Sequence, residues 1–94
     1  MGKKLSARKA QLKDKYGLTL AEYENLFNNQ NGKCAICFTS NFGDKLPSVD
    51  HDHETAKVRG LLCTSCNVGL GMFKDSEVLL KQAARYLRNS IYLD

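Results

Sequence analysis

Apolar positions along the chain fall into short blocks whose spacing changes from helical to alternating and back. Leu20, Tyr23, Leu26 and Phe27 recur at three and four residues, the period of one helix face, so the pattern predicts a helix over about 20–29. Thr19 and Glu22 precede and open it at the Thr-x-x-Glu spacing of a capping box, and Asn31-Gly32 breaks it. Residues 6–16 read as an earlier helix stopped by Gly17. Residues 38–47, with Asn, Gly, Asp, Ser and the one Pro, read as a loop. Ser48 to His51 and Lys57 to Leu62 read as two short strands joined by the polar turn Asp52 to Ala56. A short helix is expected from Thr64 to about Leu70, weakened at its end by Gly69 and Gly71. A last helix, capped by Asp75 or Ser76, runs to about Asn89 with Val78, Leu79, Ala83, Tyr86 and Leu87 toward the core. The fold class is α+β: strand, turn, strand, helix, with helices on both flanks. No linker interrupts it, so 1–94 reads as one unit: a basic helical arm 1–30, a core 31–73 and a C-terminal helix 75–90.

Size changes the picture. A chain of 94 residues without Trp buries a thin apolar core, and folds of this size often rely on a disulfide or a metal. The four cysteines form two knuckles, Cys34-x-x-Cys37 and Cys63-x-x-Cys66. Two residues between cysteines let both sulfurs face one ion, and two knuckles complete a tetrahedral thiolate site that suits Zn²⁺ and leaves no open position. Such an ion is structural and supplies folding free energy. The competing readings are two disulfides, four free thiols or an iron–sulfur cluster. No run of about 18 apolar residues is present, which excludes a transmembrane helix, and no apolar stretch follows the basic N-terminus as in a secretory signal. A reducing compartment, the cytoplasm, is therefore expected, where paired cysteines favour metal over disulfide.

The net charge of +4 is unevenly spread: +5 over residues 1–16, −2 over 17–73 and +1 over 74–94. A basic arm beside an acidic centre suits a protein that grips a polyanion and holds a cation close to it, although lysines that merely solvate a helix give the same count. Lys81, Arg85 and Arg88 form a second basic stripe, with the same two readings. Between the knuckles lies the densest ionisable cluster, Asp50-His51-Asp52-His53-Glu54. On a strand, Asp50 and His51 point to opposite faces unless the strand ends or twists between them, whereas His51 and His53 share a side. Asn67 follows the last cysteine on the first turn of a helix. A carboxylate at a strand end and a carboxamide on the facing helix can meet at one hard cation, with room for water and phosphate oxygens. A neutral imidazole beside them can take a proton from water. A second zinc site from His51, His53 and carboxylates is the rival arrangement. Arg59 either contacts phosphate or pairs with Asp52 or Glu54 across the hairpin.

The run Leu46-Pro47-Ser48-Val49-Asp50-His51-Asp52-His53, followed by Lys57-Val58-Arg59-Gly60-Leu61-Leu62-Cys63-x-x-Cys66-Asn67, resembles the phage recombination endonuclease VII family of HNH nucleases over roughly residues 18–73. The resemblance implies a small ββα-metal (His-Me finger) core stapled by zinc on Cys34, Cys37, Cys63 and Cys66. It implies Asp50 and Asn67 as ligands of a catalytic Mg²⁺ or Mn²⁺, His51 as general base, and His53 as a helper at the phosphate. The implied activity is DNA hydrolysis to 5′-phosphate and 3′-hydroxyl ends, in the cytoplasm of an infected host cell. Arg59, Lys57, Arg8, Lys9 and Arg85 are the candidate DNA contacts. Where some family members carry an acid three positions after the Asn, this chain has Leu70. The long C-terminal dimerisation part of junction-resolving members has no counterpart, which favours nicking or weakly specific cleavage by a monomer or small homodimer. A non-catalytic zinc module that binds nucleic acid, or one that binds protein, shares the knuckles but leaves Asp50, His51 and Asn67 without a purpose.

Overall fold

The computed structural model describes residue 12 and residues 16–89. Among them the chain forms helix α1 (Leu20–Asn29), strands β1 (Ser48–His51) and β2 (Val58–Leu62), helix α2 (Thr64–Met72) and helix α3 (Glu77–Arg88). The strands pair antiparallel as a two-stranded sheet, and α2 packs on both of them. The helix expected over 6–16 lies, apart from Leu12 and Tyr16, outside the described residues, as do Arg8 and Lys9.

The capping box forms as the spacing requires. The Glu22 amide donates to Thr19 Oγ1 at 3.1 Å, and the Thr19 amide donates to Glu22 Oε1 at 2.9 Å. The helix it opens buries Tyr23, whose hydroxyl donates to the Pro47 carbonyl at 2.9 Å and so fixes where the chain enters β1. Asn31 and Gly32, both at positive φ (58° and 70°), turn the chain out of α1 toward the first knuckle.

Two apolar clusters share strand β2. Leu61 lies with Leu12, Tyr23 and Val49 in one, lined further by Leu26, Phe27 and Val58; Leu62 lies with Cys34 and Cys63 in the other, beside Phe42 and Leu70. Successive side chains of a strand face opposite ways, so one short strand supplies both.

A side chain that the sequence pattern did not single out closes the free edge of β2. Gln30, the C-cap of α1, accepts from the Leu61 amide through Oε1 (2.9 Å) and donates through Nε2 to the carbonyls of Leu61 (2.9 Å) and Lys33 (2.8 Å). The Ala35 amide of the first knuckle adds a bond to the same Leu61 carbonyl at 3.2 Å. Gly60 leaves room for this clamp: a Cβ there would lie 3.0 Å from Gln30 Oε1. Replacing Gln30 with alanine leaves the Leu61 amide without its acceptor, and is expected to cost about 1–3 kcal/mol in urea unfolding of the zinc-loaded protein. An unchanged midpoint would show that water takes over the role.

Three expectations are corrected. The second strand starts at Val58, because the Lys57 carbonyl is used by the Asp52 amide (2.8 Å) to close the turn. The helix after Cys63 runs through Gly69 and Gly71 to Met72. The positions of the last helix meant for the core are not buried: Val78, Leu79, Tyr86 and Leu87 are all exposed, the last two at 74% and 71%, and Ala83 is half-buried. Amphipathic spacing gathers these residues on one side of α3, but no described element covers that side.

Candidate active site and metal centre

The four cysteine sulfurs converge. All lie within 4.8 Å of one another, none is in a disulfide, and the set could hold a metal such as zinc. Zn–S bonds near 2.3 Å in a tetrahedron imply sulfur–sulfur edges of about 3.8 Å; Cys37 and Cys63, one from each knuckle, stand 3.8 Å apart. Amides supply the compensating dipoles: Ile36 N–H donates to the Cys34 sulfur and Cys66 N–H to the Cys63 sulfur, both at 3.5 Å. Burial pushes the Cys34 thiol up, but the amides of Cys63, Cys37 and Ile36 outweigh it, leaving it lowered to about 6. Burial pushes Cys66 up, and its neighbouring sulfurs add to the shift. Cys63 also serves as the N-cap of α2, so the second knuckle and the start of that helix are one structure.

Asn67, on the first turn of α2, takes its place from that cap: its amide donates to the Cys63 carbonyl at 3.0 Å. Its half-buried side chain has no hydrogen-bond partner among the described residues. The strand side of the site is shaped by a break in register. Asp50 pairs with Gly60 but His51 pairs with Val58, so Arg59 is the extra residue of a β-bulge. That irregularity falls between the two residues that strict alternation would send to opposite faces.

The bulged Arg59 turns onto Asp50. Its Nε donates to Asp50 Oδ2 at 2.7 Å and its Nη2 to Asp50 Oδ1 at 2.9 Å, while Nη2 also reaches Asp75 Oδ2 at 3.0 Å. The hydrogen bonds it donates to Asp50 are the main reason that the guanidinium is held even more firmly protonated than usual, with Asp75 adding to it. Both expected partners, Asp52 and Glu54, are thus replaced. Asp52 is spent on its own turn, its Oδ1 accepting from the amides of Glu54 (2.8 Å) and Thr55 (2.9 Å), which hold its carboxyl below the usual range. Glu54 is exposed at the turn tip.

His51 and His53 stand together, ring centroids 5.2 Å apart, and the Tyr16 ring also contacts His51, at 5.7 Å. Neither ring nitrogen of His51 is hydrogen-bonded among the described residues, whereas His53 Nε2 lies 3.3 Å from Asp75 Oδ2. A contact path therefore runs Asp50, Arg59, Asp75, His53, His51. Asp75 was legible in the sequence only as one of two candidate caps for α3. Ser76 takes that role, its Oγ accepting from the Leu79 amide at 3.1 Å. Among the described residues, the cysteine quartet is the one group of three or more His, Cys, Asp or Glu ligand atoms close enough to share an ion, so the geometry gives no second zinc site of His51, His53 and carboxylates. Lys57 and Arg85 are exposed. No helix among the described residues is long and apolar enough to cross a membrane.

Comparison with known proteins places this geometry in context. A family model described as recombination endonuclease VII matches residues 9–89. Over 75 residues the chain is 48% identical to the Gene 59 protein of Mycobacterium phage L5, covering 79% of this chain and 46% of that protein. Over 74 residues it is 49% identical to the Gene 59 protein of Mycobacterium phage D29, covering 78% and 45%. The chain thus spans about half the length of these relatives. No solved structure matches.

Proposed function

Because the chain belongs to the recombination endonuclease VII family, we propose that it is a metal-dependent DNA endonuclease whose β1, β2 and α2 form a ββα-metal (His-Me finger) core of the HNH type. The contact path from Asp50 through the bulged Arg59, Asp75 and His53 to His51 is the observation that supports this proposal. It gathers the carboxylate and the two imidazoles into one connected polar cluster beside α2.

In this scheme His51 is the general base. Its ring nitrogens, without hydrogen-bond partners among the described residues, leave it able to accept a proton from water, and its ring contacts with Tyr16 and His53 limit how the ring can turn. Asp50 and Asn67 offer hard oxygens to a divalent ion. Two protein ligands suit Mg²⁺ or Mn²⁺, which keep several positions for water and phosphate. Arg59 does not exclude the ion, since a carboxylate has about four lone-pair sites and the guanidinium takes two of them. A bound ion would supply charge neutralisation at the phosphate and the leaving 3′ oxygen. Arg59 Nη1 makes no hydrogen bond among the described residues, so that edge remains for a phosphate oxygen. His53 assists from the rim of the site. Zinc on Cys34, Cys37, Cys63 and Cys66 is structural in this scheme, and Lys57, Arg85, Arg8 and Lys9 contact the DNA backbone.

Supercoiled plasmid incubated with zinc-loaded protein should be nicked on addition of Mg²⁺ or Mn²⁺, with 5′-phosphate and 3′-hydroxyl ends, and remain intact without an added divalent ion. Binding to DNA without any cleavage across supercoiled, linear, single-stranded and branched substrates would leave only the zinc module.

A further inference from the structure

We propose that Asp75 is a positioning residue of the nuclease site, holding Arg59 and His53 on one carboxylate oxygen so that both keep their place beside Asp50 and His51. The inference rests on the nuclease reading above and deepens it. Asp75 Oδ2 receives Arg59 Nη2 at 3.0 Å and lies 3.3 Å from His53 Nε2. Its side chain is largely covered, at 18% exposure, although the turn that carries it joins two helices on the surface.

The chain builds this placement into its backbone. Lys74 and Asp75 both adopt positive φ, 58° and 55°, and the Asp75 amide donates to the Leu70 carbonyl at 2.8 Å. Two successive left-handed residues reverse the chain sharply after α2 and swing the Asp75 carboxylate toward the hairpin. Because Ser76 caps α3, that carboxylate is not needed by the helix. It forms one wall of a polar cleft of about 430 Å³ lined in part by Asp52, His53, Glu54, Arg59 and Lys74.

A single guanidinium shared by two carboxylates stays fixed in plane and in direction. Arg59 can then keep Asp50 bidentate while presenting its remaining edge to a phosphate oxygen. Sharing also leaves the Asp50–Arg59–Asp75 trio with one net negative charge, so a cation is still attracted to Asp50. Without Asp75, Arg59 and Asp50 would form a neutral closed pair, and His53 would lose its anchor next to His51.

Asp75→Asn tests this with little disturbance of the backbone, since Asn tolerates the left-handed conformation at least as well as Asp. In steady-state cleavage of plasmid with Mg²⁺, kcat should fall about tenfold or more while KM for DNA is unchanged or lower. The Arg59 Nη–Hη signals in NMR, held by both carboxylates in the wild-type chain, should show faster exchange and guanidinium rotation in the variant. Three results would overturn the assignment: wild-type kcat in Asp75→Asn, an Arg59 signal unaltered by it, or loss of zinc and helix content that makes Asp75 a folding residue only. Even without the variant, a wild-type Arg59 signal averaged like that of a free arginine would do so. His51→Ala assayed in parallel separates the two levels. If that variant cuts at the wild-type rate the nuclease reading itself fails, whereas an inactive His51→Ala beside a fully active Asp75→Asn removes only the role of Asp75.

Discussion

His51→Ala should cut supercoiled DNA about 10²–10⁴-fold more slowly than the wild-type chain while binding it with unchanged affinity. The magnitude is that of a general base removed from a reaction whose other groups stay in place. His51 is suited to the role because both of its ring nitrogens lack hydrogen-bond partners among the described residues, while its two ring contacts, with Tyr16 and His53, restrict its orientation. His53→Ala should be milder, since His53 is largely exposed and its Nε2 lies beside Asp75, 3.3 Å from Oδ2. Retained DNA binding matters to the interpretation: an imidazole at the rim contributes little to the phosphate contacts that dominate affinity. A gel-shift titration in Ca²⁺, paired with nicking in Mg²⁺, measures both quantities. Cleavage by His51→Ala at the wild-type rate would move the base elsewhere. An equal loss of binding and cleavage would make His51 a DNA contact instead.

Cys63→Ser should do something different in kind, abolishing the fold. Structural zinc in small modules contributes roughly 10–16 kcal/mol of apparent binding free energy, more than a chain of this size stores in its core. Cys63 carries more of that than one ligand bond suggests. It faces Cys37 across the cluster at 3.8 Å, accepts the Cys66 amide, caps α2 and packs with Leu62 and Cys34. Loss of helical circular dichroism together with loss of bound zinc is the expected outcome; a folded, zinc-free variant would contradict it. Acid should act in the same direction. The Cys34 thiol is lowered from an ordinary 9.0 to about 6, so its contribution to stability is complete above the ordinary value, shrinks as pH falls, and is gone below about 6. Bound zinc lowers it further, so the loaded protein should keep its fold at neutral pH and release the metal only in more acidic solution. Circular dichroism and zinc content followed across that range give the midpoint.

Local signals in the chain were legible and tertiary ones were not. The capping box and the spacing of Leu20, Tyr23 and Phe27 delimit α1 without outside help, because helix starts and faces are encoded within a few residues. The two knuckles announced a gathering of four sulfurs, and the sulfurs do converge, because each short loop already brings its own pair together. The bulge at Arg59 could only be anticipated as an open question about Asp50 and His51, since register is a property of two strands together. Arg59 was read as contacting phosphate or as pairing with Asp52 or Glu54. It chose Asp50 instead because Asp52 satisfies the amides of its own turn, and it gained Asp75 from sixteen residues on. The apolar side of α3 shows the limit most clearly: periodicity states which residues point the same way, not whether anything lies opposite them.

Strand β2 is the common wall of both apolar clusters, with Leu61 turned to the helical one and Leu62 to the cysteine one. Five residues would therefore couple occupancy of the cysteine cluster by a metal to the packing of Tyr23 and Leu12 in the other cluster. Neither compartment can melt and leave the other standing, so the described body should lose its order as a single cooperative unit. A fluorophore reporting on Tyr23 would register chelation of the ion as promptly as one beside the thiolates.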